Sequence, residues 1–322
     1  MDKKNSVIVT GGAGLLGSSL VHQLLEKETE QVTVMDVNPD PVRLQDIAGE
    51  VEYIVGDIAD PGLLQKTISS LRPRTIYHLG AFLGDACEKN PEEATRININ
   101  GFQTLLEQCR QHGVEQLLFS SSLGTFGYDL ADDENFTDTT LQRPFSYYGV
   151  TKLYAETAGL FYKRKYGLDF RGIRYPAIVG PGVRAGGIVT YISAIIEMSY
   201  KGEGYTVRVS PETRVAMVHV EDAGRSLIQL ARVPMERIRM TNYLINGVAG
   251  TPSAAELVEQ VRQRIPGSRI EFKPDPDWSA IIKLSGRPVD DSCARQEWDW
   301  NPRFDSFAKI MESYLTALEE KT

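Results

Sequence analysis

Apolar and polar positions alternate in blocks through the first half of the chain. Ser6–Thr10 is a short β-branched apolar run, and from Leu15 to Glu28 the spacing turns helical, with Leu16, Leu20, Leu24 and Leu25 on one side. Further β-runs are Gln31–Met35, stopping at Asp36, then Val51–Val55, Thr75–Leu79, Gln116–Ser120 and Phe170–Tyr175. Helical spacing fills the intervals at Pro61–Leu71, Pro91–His112 and Tyr147–Tyr166. Strands alternating with helices predict βαβ units and a parallel sheet. The predicted fold class is therefore α/β, a Rossmann-type doubly wound parallel sheet. Beyond Pro176 the texture becomes glycine-rich and mixed. Arg214–His219 and Asn242–Asn246 predict short strands, Ser253–Arg264 and Phe304–Leu318 helices. The expected division is a nucleotide domain over 1–175, with 215–246 returning to it, and a smaller substrate lobe from 176–214 and 247–322.

The 322 residues, 42% hydrophobic and 24% charged, fit an ordinary soluble globular protein of about two domains. A net charge of −8 with no basic block argues against nucleic acid as a partner. The longest apolar-leaning stretch, Ile188–Met198, falls far short of the ~20 residues needed to cross a bilayer, so no membrane role is expected. The run behind Lys3 and Lys4 is too short for an export signal. Cys87, Cys109 and Cys293 form no CxxC pair and the four histidines no HExxH spacing; reduced thiols, a cytoplasmic location and no metal site are expected.

Gly11-x-x-Gly14-x-x-Gly17 lies between the first strand and the first helix, where a phosphate loop belongs. Its glycines permit a tight turn, close approach to a pyrophosphate and close helix–sheet packing, with the helix N-terminus facing the anion. Asp36 ends the second strand 25 residues after Gly11, placed to accept from the adenosine ribose hydroxyls and to repel a 2′-phosphate. Arg43, seven residues further on, is too distant to counter that charge, so NAD is favoured over NADP. Asp57, after the third strand, suits an adenine amino group or a solvated loop equally.

Tyr148 and Lys152 are four apart, on one face of a predicted helix. An adjacent ammonium lowers the pKa of a phenol, which prepares Tyr148 as a base near neutral pH. Ser120-Ser121-Ser122 closes the fifth strand at the carboxyl end of the sheet, where a serine can hydrogen-bond an oxygen passing between alcohol and carbonyl.

With these strings in place, and with Gly56-Asp57-Ile58, His78-Leu79-Gly80-Ala81 and Asn98-Ile-Asn-Gly101, the chain resembles the extended short-chain dehydrogenase/reductase superfamily, the NAD-dependent epimerase/dehydratase type. The resemblance implies Ser122, Tyr148 and Lys152 as the catalytic set, Lys152 also holding the nicotinamide ribose. It implies cofactor contacts at Gly11, Gly14, Leu15, Leu16 and Gly17, at Asp36, Asp57 and Ile58, and at Leu79, Gly80, Ala81, Asn98 and Ser120. Tyr148, Lys152, Tyr175, Ala177 and Ile178 complete that cofactor set. Glu88–Pro91, Phe170–Pro176, Ala185–Gly187, Phe272–Pro274 and above all Asp290–Trp300 resemble the L-threonine 3-dehydrogenase branch. That branch implies oxidation of a 3-hydroxy-2-amino acid, hydride passing to NAD, in a homodimer formed through the two long helices.

The implied substrate contacts are Gly84, Asp85, Ser122, Tyr148, Ala177, Gly187 and Thr190. Gly84-Asp85, Ala177 and Ile188-Val189 depart from the branch pattern, which leaves the substrate class at a small hydroxyamino acid or hydroxy acid. Asp85 would repel a carboxylate, accept an ammonium or sugar hydroxyl, or cap a solvated loop. A nucleotide-sugar 4-epimerase with retained NAD is the alternative, on Gly180–Gly182 and His219–Asp222; a non-catalytic NAD-binding regulator is a third reading. Leu123-Gly124 stand where a dehydratase has Asp-Glu. Arg184, Arg208, Arg214 and Arg287 are candidates to line an anionic site or to be solvated, and Asp129–Asp138 to be a loop closing over the substrate.

Overall fold

The computed structural model describes residues 6–26, 31–131, 134–183 and 188–320, without the side chains of residues 280 and 283–285. Its strands are β1 (Ser6–Thr10), β2 (Gln31–Asp36), β3 (Glu52–Val55), β4 (Thr75–His78), β5 (Gln116–Ser122), β6 (Asp169–Tyr175), β7 (Ala177–Val179), β8 (Tyr205–Val207), β9 (Met217–His219), β10 (Asn242–Leu244) and β11 (Ile270–Phe272). The helices are α1 (Leu15–Leu25), α2 (Pro61–Leu71), α3 (Gly84–Lys89), α4 (Pro91–Ala94), α5 (Phe102–His112), α6 (Tyr147–Tyr166), α7 (Tyr191–Tyr200), α8 (Val220–Arg232), α9 (Ala254–Arg264), α10 (Pro276–Ser285), α11 (Ser292–Trp298) and α12 (Phe307–Glu319).

Seven strands form one parallel sheet in the order β10-β6-β5-β4-β1-β2-β3. Its strands are apolar on both faces because both are covered. Alternation along β1 sorts the layers: Val7 and Val9 pack with Leu20, Leu24 and Leu227 of α1 and α8, while Ile8 packs with Ile68, Phe102 and Leu105 of α2 and α5. The chain leaves β1 for β2 on one side and crosses back to β4 on the other. That order reversal opens a crevice at the carboxyl ends of β1 and β4, the place where doubly wound folds bind ligands.

A separate core joins α7, α9 and α12, with Tyr191, Ile195, Leu257, Val258, Ile310 and Tyr314 buried together. Two short parallel pairs, β7 with β9 and β8 with β11, lie outside the main sheet. Of the predicted run Arg214–His219 only Met217–His219 is a strand, and it pairs with β7. The long helix expected over Pro91–His112 is helical throughout but not uniform: Thr95–Gly101 is a π-helical stretch between α4 and α5. Such extra-residue turns recur at functional sites, and this one carries Asn98.

Candidate active site

The glycine loop is packed to the limit of what backbone allows. Gly11 has φ +71°, and a Cβ there would stand 2.6 Å from the amide nitrogen of Gly80. At Gly17 a Cβ would stand 2.2 Å from the carbonyl oxygen of Gly11, so α1 starts hard against the turn. Asp60, Ser146, Ser253 and Ser306 cap α2, α6, α9 and α12 with their side chains. By contrast α1 opens on Gly14 with no side-chain cap and no acid in its first turn. Its first N–H groups, around Leu15 and Leu16, are therefore left facing the crevice, as a dinucleotide pyrophosphate requires. The cradle fits NAD.

The rest of the predicted cofactor set surrounds this loop unevenly. Asp36 Oδ2 accepts from the amide of Ala13 at 3.0 Å and Oδ1 from the amide of Asn38 at 3.0 Å, which fixes the carboxylate beside the loop. Each carboxylate oxygen retains a further acceptor site for a ribose hydroxyl. The Thr10 hydroxyl joins β1 to β4 through His78 Nδ1 at 2.8 Å and accepts from the Gly80 amide at 3.4 Å; the Leu79 amide donates to the Thr10 carbonyl at 3.0 Å. Ile58 is buried and Ala81 half-buried. Asp57 is already engaged, accepting from the Ala59 amide at 2.8 Å and from Arg96 at 2.7 Å. Tyr175 turns its hydroxyl into α8, onto the Ala223 carbonyl and Ser226, both at 2.9 Å, so it can reach a cofactor through its backbone only. Ala177 is held by its amide on the Ala216 carbonyl, and Ile178 packs against the main core.

Tyr148, Lys152 and Ser122 meet above β5. Ser122 lies beside the Tyr148 phenol and favours its ionised form, and its Oγ accepts from the Gly124 amide at 3.0 Å. Lys152 donates to the Ser120 carbonyl at 2.6 Å and lies 5.5 Å from the centre of the Tyr148 ring and 4.7 Å from that of Phe119. Burial dominates the electrostatics here. It pulls Lys152 down to about 8, opposed by Cys87 and Glu156, and pushes the Tyr148 phenol above its ordinary value, with Ser122 partly countering. The expectation of a phenol lowered by its lysine thus fails. Desolvation by the surrounding fold is the larger effect on the phenol.

Sequence reasoning missed the residues that hold this group. Glu156 continues the four-residue spacing of Tyr148 and Lys152 on α6. It is 2% exposed, accepts from Ser121 at 2.5 Å and pairs with Arg174 of β6 at 2.7 Å. Arg174 also donates to the Asp138 carbonyl at 3.0 Å, which ties the acidic loop to the site. Asn98 receives the Phe82 amide at 2.8 Å and donates to the Phe82 carbonyl at 2.9 Å and to Thr151 at 3.1 Å. Its amide positions the wall of the crevice, and Cys87 donates to the same carbonyl at 3.1 Å.

On the substrate side, Gly84 is exposed at φ +42° and opens α3, whose first turn carries the half-buried Asp85. Thr190 begins α7, while Arg184 and the stretch 185–187, including Gly187, lie outside the described residues. The other arginines line no common site: Arg208 pairs with Asp275, Arg214 donates to the Thr251 carbonyl at 2.9 Å, and the buried Arg287 grips the carbonyls of Leu130, Ala131 and Glu134. The Asp290–Trp300 string is an anchor, with Asp291 accepting from Trp300 at 3.1 Å, from Asn246 at 3.2 Å and from Arg295 at 2.7 Å. His219 and Asp222 likewise serve the fold, capping and bracing the start of α8.

A parallel sheet with an uncapped glycine loop at its switch point, an acid beside that loop and a Ser-Tyr-Lys cluster across the crevice define an extended short-chain dehydrogenase. The model of the NAD-dependent epimerase/dehydratase family matches residues 7–245, and the chain belongs to that family. It is 31% identical over 301 residues to the mitochondrial L-threonine 3-dehydrogenase of Bos taurus, covering 93% of this chain and 79% of that one. The Sus scrofa enzyme of the same name is 32% identical over 302 residues, with the same coverage. A GalE-like L-threonine dehydrogenase from Cupriavidus necator, in its holo form, superposes with a TM-score of 0.88 at 26% identity, over 97% of this chain and 99% of that one. A UDP-glucose 4-epimerase from Thermotoga maritima shares the fold, with a TM-score of 0.85 at 22% identity over 97% and 99%. The protein is an NAD-dependent oxidoreductase. Among the described residues no helix is long and apolar enough to cross a membrane.

Proposed function

We propose that this dehydrogenase oxidises the secondary alcohol of a small hydroxyamino acid or hydroxy acid, in the manner of an L-threonine 3-dehydrogenase, by Ser-Tyr-Lys chemistry. One observation carries the reading: Ser122 beside Tyr148, with the Lys152 ammonium 5.5 Å from the centre of the phenol ring, at the mouth of the dinucleotide crevice. NAD, held by the Gly11–Gly17 loop and Asp36, supplies the hydride acceptor. Ser122 orients the substrate oxygen and Tyr148 takes the hydroxyl proton. Lys152 supplies the charge that stabilises the phenolate form. Three carboxylate–guanidinium contacts, Glu156 with Arg174, keep the helix that bears Tyr148 and Lys152 in register with β6.

Residues 1–175 with 215–246 serve the cofactor in this reading, and 176–214 with 247–322 the substrate; the separate core of α7, α9 and α12 supports that division. A homodimer through α5 and α6 is supported by the exposed Val150, Leu160 and Phe161 on α6. A cytoplasmic location is supported by the three free thiols. Tyr148→Phe tests the chemistry. NAD should bind with unchanged affinity while turnover falls by roughly 10²–10⁴, the usual cost of losing a general base; turnover near the wild-type value refutes the assignment.

A further inference from the structure

We infer that Arg43 is a positioning residue of the cofactor site, a clamp that fastens the two rims of the dinucleotide crevice together across the start of α1. Arg43 lies in the 3₁₀ segment Val42–Ile47 that follows β2 and Asp36. Its guanidinium donates to the carbonyl of Gly182 at 2.5 Å, a residue 139 positions away in the loop after β7. Both ends of this bridge are fixed. On the Arg43 side, Leu44 is 1% exposed in the main core, and Asp46 meets His22 of α1 at 2.9 Å. On the far side, Gly182 has φ +76°, and a Cβ there would stand 2.9 Å from the Arg43 guanidinium. Two residues earlier, a Cβ on Gly180 would stand 2.6 Å from Val220 and 3.7 Å from Leu15, the first residue of α1, while Ser193 of α7 holds the Gly180 carbonyl at 3.4 Å.

The bridge therefore completes a ring. It runs from the glycine loop through β2 and Asp36 to Arg43, across to Gly182, and back through Gly180 to Leu15. The N–H groups at the start of α1 and the carboxylate of Asp36 both belong to that ring. A dinucleotide seated on them is enclosed by it, and leaves when Arg43 swings away from Gly182. A long flexible side chain joining two fixed segments makes Arg43 the part that moves. Gly182 suits the contact twice over, since it adopts the left-handed backbone and leaves room for the guanidinium.

The test is the rate at which NAD leaves the protein, followed by stopped-flow displacement, in wild type, Arg43→Ala and Gly182→Ala. Arg237→Ala, which removes an exposed arginine paired with Asp299 far along the chain, controls for charge. Dissociation should accelerate about tenfold in Arg43→Ala, the factor that 1.4 kcal/mol represents. The Gly182 variant should accelerate it similarly, the two changes together should add nothing further, and the control should match wild type. The melting temperature without NAD should be unchanged by Arg43→Ala. An unchanged dissociation rate in Arg43→Ala overturns the inference, as does full additivity with Gly182→Ala.

Discussion

Burial pulls Lys152 down to about 8 and pushes the Tyr148 phenol above its ordinary value. Tyr148 must be in its phenolate form to take the substrate proton, and a charged Lys152 favours that form. Accordingly, kcat/KM should fall as pH rises through about 8, where Lys152 loses the charge that stabilises the phenolate, and should lose that limb in Lys152→Ala; a flat profile in wild type would show that Lys152 does not govern the reaction. Glu156 lies deeper, as one half of a buried ion pair. Glu156→Ala leaves the buried Arg174 without its counter-charge and should cost about 3–5 kcal/mol in denaturant unfolding. Asp36, pinned by two backbone amides, should set cofactor choice, and Asp36→Ala should narrow the preference for NAD over NADP in binding titrations. Tyr148, Lys152 and Ser122 were legible because their spacing and strand-end position are local properties of the chain. The direction of the phenol shift was not, because desolvation is set by residues distant in sequence.

Elements were legible where periodicity was strong and the sheet local. All six strands predicted before Pro176 formed, and their alternation sorted the two faces. What escaped was structure imposed by tertiary contact. The π-helical stretch depends on Asn98 reaching Phe82 and Thr151, and β7 and β9 exist only by pairing with each other. The junction of α6 with the 3₁₀ turn Leu123–Thr125 was equally hidden. A Cβ on Gly149 would stand 1.9 Å from the Gly124 carbonyl oxygen, so this backbone contact is what lowers Tyr148 onto Ser122. Gly149→Ala should cost about 1–3 kcal/mol, as overpacking does. It should also depress kcat far more than NAD affinity. Equal losses in both would place the damage in general unfolding.

Across the whole molecule, two buried histidines set the response to acid. Burial lowers His78 to about 3 and His219 to about 4, so the unfolded chain takes up protons near 6.5 while the folded one does not. Their contribution is complete above 6.5 and is lost as pH falls toward 4. Asp138, raised to about 6 by burial, works in the opposite direction over part of that range. One net proton remains, and stability should fall by about 1.4 kcal/mol per pH unit from 6 to 4 in chemical denaturation. Of the positions that depart from the threonine dehydrogenase pattern, Gly84 is exposed and Asp85 half-buried at the start of α3, and Ile188 packs against the core of α7, α9 and α12, so no contact among them selects one substrate. Absorbance at the NADH band, recorded with NAD and in turn with L-threonine, related hydroxy acids and nucleotide-sugars, therefore tests the central claim most directly. NADH should accumulate with L-threonine or a near relative; conversion of a nucleotide-sugar with no net NADH, and none from any hydroxy acid, would contradict the proposed activity.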